Sequence, residues 1–450
     1  MKQNPHRHHH HHHHHHRTPD LRHRSARFDP FGLAAAGLRT PEGLLVAAAV
    51  VLAPMNHIRL SGVYITASDI VALAAFILML AKGSVPIRFF GPATAFWGLS
   101  FIAFAGGMTM SSVINGDPAA LPNTLAQYSY SLLVLPMILG GRSYAQTLAL
   151  IKLLIAAYVF VMLFGAYVVH FVDNPNRMLV SGNGRMRSLI QRENETAVHG
   201  AIAIVLVLGL YKLGAMRARS VLLCIPPLIY GIMLTGSVSG LLATFLGVTL
   251  LVLIVGPIRH IPISAAIVAV VVVILLAFGD IFLPEIFRNR VLDPLLNRGL
   301  VGAGTFSDRA LLIQEAMAIM KDTVFLGLGV EQFREYSAHN AAVHNNYLAA
   351  FVEGGLISLL GLIGFFLSAL TLVWAAIVSR VNRQVWAMTL VVLLIYAVAF
   401  NMFPTFYARF WNVPWILLLS LTASLLTPLR HKDQPILPHP SPTLKRRARS

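Results

Sequence analysis

Apolar residues run along this chain in long unbroken blocks, separated by short joints that carry charge, glycine or proline. The blocks predict helices over 42–55, 63–81, 90–108, 121–139, 144–169, 196–213, 221–234, 240–256, 263–278, 347–378, 385–402 and 411–426. A helix needs about 20 apolar residues to cross the hydrocarbon core of a bilayer. Most blocks approach that length, and the first, seventh and eighth fall short of it. Outer-membrane strands would alternate apolar and polar positions, which stretches such as 153–164 and 265–278 do not. The expected fold is therefore an all-α polytopic membrane protein with about twelve transmembrane helices. Residues 1–41 and 428–450 are expected to be basic cytoplasmic tails, 42–279 to hold helices one to nine with an arginine-rich loop at 170–195, and 347–427 to hold helices ten to twelve. Between them, 280–346 is expected to form a large helical loop on the side opposite the tails, before the tenth span.

Composition agrees with this pattern. Of 450 residues, 56% are hydrophobic and 12% charged, against about 25% charged in an ordinary soluble domain. That excludes a soluble enzyme, a secreted disulfide scaffold and a disordered chain. Cys224 is the only cysteine, so neither an intrachain disulfide nor a cysteine metal site is expected.

The net charge of +17 is unevenly placed. The first forty residues and the segment from Arg430 onward each contribute +5, leaving +7 for the body of the chain. Basic tails flanking the first and last spans fit the positive-inside rule, and an even number of spans puts both on one side. The joints carrying Lys82 and Arg88, Arg142, Lys212 with Arg217 and Arg219, Arg259, and Arg380 with Arg383 then fall on that same side. A nucleic-acid arm is the weaker reading of the tails, because no aromatic residues are interleaved with the charges. The histidine run 8–16 reads as a purification tag or a low-complexity tract and is set apart from function. Asp69, Lys152 and Glu353 are the charges well inside the blocks, with no evident pairing among them. That argues against an ion-driven transporter, whose coupling residues lie near the midplane.

The opposite face breaks the rule. The loop 170–195 carries Arg177, Arg185, Arg187 and Arg192, and the loop 280–346 carries Arg288, Arg290, Arg298, Arg309, Lys321 and Arg334. Arginine offers a planar fork of donors to phosphate oxygens and stays charged, whereas lysine is a point charge. The set therefore points to an anionic ligand, with pyrophosphate the favoured one. Any single arginine could instead pair with an acidic neighbour, since the second loop also holds Asp280, Glu285, Asp293, Asp308, Glu315, Asp322, Glu331 and Glu335.

Within that loop, 307–321 reads as an amphipathic helix with Ala310, Ile313, Met317 and Met320 on its apolar face. A helix start near Arg309 would add backbone N–H groups to an anion site. Gly327-Leu328-Gly329 is too short for a nucleotide fingerprint and reads as a turn. The loop closes on His339 to Asn346, and His344 there is a candidate general base near neutral pH. On chemistry alone it could equally cap the helix that follows. No HExxH pair, clustered carboxylate–histidine set, Walker loop or Gly-x-Ser-x-Gly elbow is present, so no metal or cofactor is expected.

His344-Asn345, followed by nine residues and Gly355, resembles the His-Asn/Ser-x9-Gly-x-x-Gly signature of the O-antigen ligase family (WaaL), within the O-antigen ligase/polymerase superfamily. The chain departs from that signature at Ser358, where the second glycine would stand. Ser307-Asp308-Arg309 with Gly327-Leu328-Gly329 is similar to the Ser-x-Arg helix and Gly-x-Gly turn upstream of the family histidine. The segment 187–197 resembles the family's Arg-and-Asn segment ahead of a central span. The stretch 235–240 lies where many relatives have a Ser-Arg pair, and here that arginine is absent. In hydropathy the resemblance covers most of the chain.

The resemblance implies a GT-C-type glycosyltransferase of the bacterial inner membrane with its site on the periplasmic face. Such proteins transfer an O-antigen glycan from undecaprenyl pyrophosphate to a sugar hydroxyl of lipid A-core, with inversion and without a required metal. It would make Arg187, Arg192 and Arg309, and with less weight Arg288, the pyrophosphate-binding residues. His344 would be the base and Asn345 the residue that orients it or the acceptor, with Glu315 and Glu193 as alternative bases. The partners implied are the lipid-linked O-antigen, lipid A-core and membrane lipids, with no nucleic acid. O-antigen polymerase and protein O-oligosaccharyltransferase use the same donor. The short tail 428–450 favours the ligase over protein-glycosylating relatives, which often append a periplasmic domain. A flippase of lipid-linked sugars is the more distant alternative, and it would need a polar path through several spans.

Overall fold

The computed structural model describes residues 31–33, 35–60, 65–257, 283–294, 296–297, 306–321, 323–403 and 407–426, and the side chains of 306–309 are outside that set. The described residues are helical, with two isolated bridges, Arg59 to Thr66 and Val180 to Met186, and no strand. Every expected block contains a helix except 263–278, which lies outside the described residues.

The helices are α1 (Pro41–Leu52), α2 (Ala67–Ala81), α3 (Thr94–Ile114), α4 (Leu121–Ser129), α5 (Leu135–Leu139), α6 (Tyr144–Phe171), α7 (Glu193–Lys212), α8 (Ala218–Thr235) and α9 (Val238–Val255). A π-helical turn, Tyr130–Val134, joins α4 to α5 in one continuous rod. After the second loop's α10 (Phe306–Ile319) and α11 (Gln332–Tyr336) come α12 (Asn346–Val378), α13 (Arg383–Ala399) and α14 (Arg409–Leu426). Seven helices among the described residues are long and apolar enough to cross a membrane. The chain is a multi-pass membrane protein.

Apolarity on all faces has two outcomes here. Helices α7 and α14 are buried almost throughout and form the interior, whereas α8 and α9 leave most of their surface outward. A helix hydrophobic all round is either a core helix or a membrane span, and the pattern of apolar residues alone does not separate the two. Small residues bring α12 against α3. A Cβ on Gly361 would sit 2.2 Å from the Phe104 nitrogen, and one on Gly107 would sit 2.5 Å from the Ser358 nitrogen. Close backbone approach of this kind is how helices associate inside a bilayer. The Ser358 hydroxyl donates to the Phe104 carbonyl at 3.1 Å, so the serine in place of the signature's second glycine makes a bond of its own across this interface.

Two sequence expectations need correction. Asp69 is not an unpaired charge inside a span. It is the third residue of α2, where it completes a capping box with Thr66, and it forms an ion pair with Arg409. The expected block started four residues ahead of the helix and so placed Asp69 too deep. The apolar face of α10 is also rotated. Leu312 and Ala316 are buried, with Phe333, Val343 and Val352 in the same cluster, whereas Met317 is half exposed. The run Leu311-Leu312-Ile313 allows either phase of the helix, and packing selects this one.

Candidate functional site

Following the chain direction from span to span brings the ends of several elements to one end of the bundle. These are the segment after α1, the C-terminal end of α3, and the N-terminal ends of α4, α7, α12 and α14. The side chains there line two cavities.

The first cavity, about 400 Å³, is lined by Arg59, Arg187, Arg192 and Arg409 together with Glu193 and Glu195, and aromatic residues 407, 410 and 411 form one wall. Two of its arginines are oriented by the start of α7. The Arg187 Nε donates to Glu193 at 3.1 Å and its Nη1 to the Arg177 carbonyl at 3.0 Å. The Arg192 Nη1 donates to Glu195 at 3.2 Å, while the Arg192 side chain remains 55% exposed. The fork of each guanidinium is thus anchored on one side, a geometry suited to two-point contact with an anion. The helix start adds N–H groups and the positive end of the α7 dipole.

Behind this wall Arg185 has a different role. It is buried, its Nε donates to the Thr235 carbonyl at 2.7 Å, and its Nη2 donates to the Asn194 Oδ1 at 2.8 Å. The Ser237 hydroxyl donates to the same Asn194 oxygen at 2.9 Å. Arg185 therefore ties the end of α8 to the start of α7 and holds the loop 170–195 in place.

The second cavity, about 230 Å³, lies beside the kink in α12. Its wall includes Tyr128, Glu331, Arg334, Asn346 and Glu353, and Arg192 and Tyr407 line both cavities. Gly355 makes the kink, with φ +72 inside an otherwise helical run. A Cβ at this position would lie 2.1 Å from the Phe325 carbonyl oxygen, so a side chain is excluded on both counts. The Leu356 N–H turns away from the helix to the Val324 carbonyl at 2.9 Å. The carbonyls of Val352 and Glu353 accept from the N–H groups of Leu328 and Gly329, at 2.8 and 3.0 Å. On the other side, the hydroxyls of Ser111 and Ser112 accept from the N–H groups of Gly327 and Val330, at 2.9 and 3.0 Å. The Gly-Leu-Gly turn is a docking element clasped between α3 and the kink, and it carries the loop that walls the second cavity.

His344 is half-buried in the turn before α12. Val343 and Asn346, on either side of the His344-Asn345 pair, line the second cavity. Asn345 is the N-cap of α12. Its Oδ1 accepts from the N–H groups of Tyr347 and Leu348, at 2.9 and 3.1 Å, and its Nδ2 donates to Asn401. The asparagine of the signature thus fixes the start of the helix directly after the histidine.

The other expected residues are elsewhere. Arg288 opens the π-helical turn Arg288–Leu292, next to a small cluster of Leu283, Phe287, Val291 and Val238, and it is not among the residues lining either cavity. Arg309 lies in α10 with its side chain outside the described set. Of the alternative bases, Glu193 is held by Arg187. Glu315 accepts from the Ala338 N–H at 2.7 Å and the Ser337 hydroxyl at 2.8 Å. Those bonds, the backbone one first, hold its carboxyl below the usual glutamate range and weaken it as a proton acceptor.

Sequence reasoning missed Arg59 and Arg409. Each is a lone basic residue between apolar stretches, and the signal at Arg409 was its aromatic setting, Phe406-Tyr407-Ala408-Arg409-Phe410-Trp411. Among the described residues, no group of three or more His, Cys, Asp or Glu side chains is gathered closely enough to hold a metal ion.

No curated protein matches the chain. Residues 220–363 match the model of a family described as O-antigen ligase (Wzy_C). The matched stretch, about a third of the chain, runs from α8 through the Gly-Leu-Gly turn, His344 and the kink at Gly355, and over these residues the chain is similar to that family.

Proposed function

We propose that this protein is a membrane glycosyltransferase that moves an O-antigen glycan from undecaprenyl pyrophosphate to a sugar hydroxyl of lipid A-core, with its site on the periplasmic face of the bacterial inner membrane. The observation that carries the proposal is the first cavity, where four arginines and two glutamates line a space at one end of the bundle. A glycosyl pyrophosphate loses its leaving group as charge develops on the phosphate oxygen, and fixed donors aimed at that oxygen are the strongest available assistance. Arg187 and Arg192 fill this role in the proposal, joined by Arg59 and Arg409. Arg309 is retained as a residue reaching the same ligand, and Arg288 as the weaker candidate.

In the proposed reaction His344 accepts the proton of the acceptor hydroxyl while its oxygen attacks the anomeric carbon. The bond from that carbon to the pyrophosphate oxygen breaks, its electron pair stays with the pyrophosphate, and the configuration inverts. The products are glycosylated lipid A-core and undecaprenyl pyrophosphate. Asn345 contributes by fixing the helix start beside His344. The basic joints at the other end of the bundle support a cytoplasmic assignment for that end.

A complemented deletion strain tests the reading. His344→Ala or Arg309→Lys at normal protein level is expected to lose O-antigen-capped lipopolysaccharide, and wild-type capping in both variants contradicts the proposal. Glycan polymer that is never joined to lipid A-core would identify the polymerase alternative.

A further inference from the structure

We infer that the second cavity binds one uncharged sugar ring, and, resting on the proposed function, that this ring is the acceptor's. Four observations converge on it. The first is size. At about 230 Å³ the cavity is smaller than the roughly 300–1,000 Å³ of sites for drug-sized ligands, which suits a single pyranose.

The second is charge. Arg192 and Arg334 share its wall with Glu331 and the buried Glu353 carboxyl, whereas the first cavity has four arginines, one of them paired with Asp69, to two glutamates. The neighbouring spaces therefore differ in kind, one built for an anion and the other for a neutral polar molecule.

The third is an unmet donor. The Nδ2 of Asn346, a lining residue that is 3% exposed, has no hydrogen-bond partner among the described residues. A buried amide donor without an acceptor is costly, and a sugar hydroxyl or ring oxygen supplies one. Glu353, on the same helix two turns along, is held in the wall by the backbone N–H of Glu331 and presents a carboxyl group that can exchange hydrogen bonds with sugar hydroxyls. The rings of Tyr128 and Tyr407 meet edge to face at 5.5 Å in the same wall and offer apolar area for a pyranose.

The fourth is position. Arg192 and Tyr407 belong to both cavities, so a sugar in the second adjoins a phosphate in the first, and Val343 and Asn346 place the space beside the His344-Asn345 pair. In the proposed reaction, a hydroxyl bound there is the nucleophile that attacks the arginine-held donor. Asn346 and Glu353 are accordingly assigned as acceptor-reading residues.

The test uses full-length protein in lipid nanodiscs, comparing wild type with Asn346→Ala and with the near-isosteric Thr124→Val at another residue lining the same cavity. In steady-state transfer assays, each variant is expected to raise KM for rough lipopolysaccharide roughly tenfold, about the loss of one hydrogen bond. KM for the undecaprenyl-pyrophosphate glycan stays within about twofold of wild type by the same reasoning. A rise in donor KM with acceptor KM unchanged overturns the assignment. Saturation-transfer NMR with methyl hexopyranosides reads the site without turnover. The signal is expected with wild type and with Arg187→Lys, and is expected to be lost with Asn346→Ala. No signal with wild type, or an equal one with Asn346→Ala, overturns the sugar site. Sugar binding that Asn346→Ala removes, in a protein that forms no product, would sink the transferase reading and leave the sugar site standing.

Discussion

Arg187 and Arg192 are held on one side by Glu193 and Glu195, so their remaining N–H groups form a preset fork. Replacing Arg192 by Lys keeps the charge and removes the fork. Transfer by Arg192→Lys is expected to fall by about 10- to 100-fold in kcat/KM for the lipid-linked donor, and an unchanged kcat/KM would contradict the phosphate role. Glu315 provides a pH prediction. Its carboxyl is held below the usual glutamate range by Ala338 and Ser337, so the latch is fully present above the ordinary value of about 4.3 and is lost as pH falls through the depressed one. Hydrogen-exchange protection of the Ala338 amide is expected to drop with acid in wild type, and in Glu315→Ala, which lacks the acceptor, to be low at all pH. At this scale the sequence was partly legible. Arg187 and Arg192 stood out because an arginine-rich loop on an outer face violates a composition rule, while Arg59 and Arg409 join them only through contacts between distant parts of the chain. Arg185 shared that signal and turned out to brace the loop from behind.

The kink in α12 and the turn at 327–330 form one device. Gly355 frees two carbonyls, the turn supplies the matching N–H groups, and the serines at the end of α3 close the other side. Gly355→Ala brings both a left-handed backbone and a clash with Phe325. It is expected to cost on the order of 2–4 kcal/mol and to lower the thermal midpoint and transfer activity together. Ser358→Ala loses a single hydroxyl bond to Phe104 and is expected to cost about 1 kcal/mol, with activity retained. Equal stability of the two variants would contradict this account. The signature's order and spacing were visible in the sequence. Its physical meaning was not, because the partners of Gly355 lie some thirty residues upstream, in a turn that α3 holds from the other side. Helix positions were legible because long apolar blocks leave few alternatives, whereas the phase of α10 was decided by packing against residues 333, 343 and 352.

Across the whole molecule, two buried helices, α7 and α14, carry part of the first cavity's lining on their N-terminal turns, and the first turns of α12 carry part of the second's. Burial of these helices gives the site a rigid base while both cavities stay at one end of the bundle. The proposed topology makes that end periplasmic. An Ala338→Cys protein, with Cys224 replaced, is expected to react with an impermeant thiol reagent in cells whose outer membrane is opened, and Arg380→Cys only after lysis. The reverse pattern would invert the orientation. Hydropathy was enough to read the all-helical membrane fold, but it could not separate core helices from lipid-facing ones or show that two arginines on α7's threshold and one at the start of α14 share a cavity. The central claim is tested most directly by incubating the purified protein with undecaprenyl-pyrophosphate glycan, rough lipopolysaccharide and EDTA. The account predicts glycan joined to lipid A-core, and intact donor beside unmodified lipopolysaccharide, from a folded protein, would contradict it.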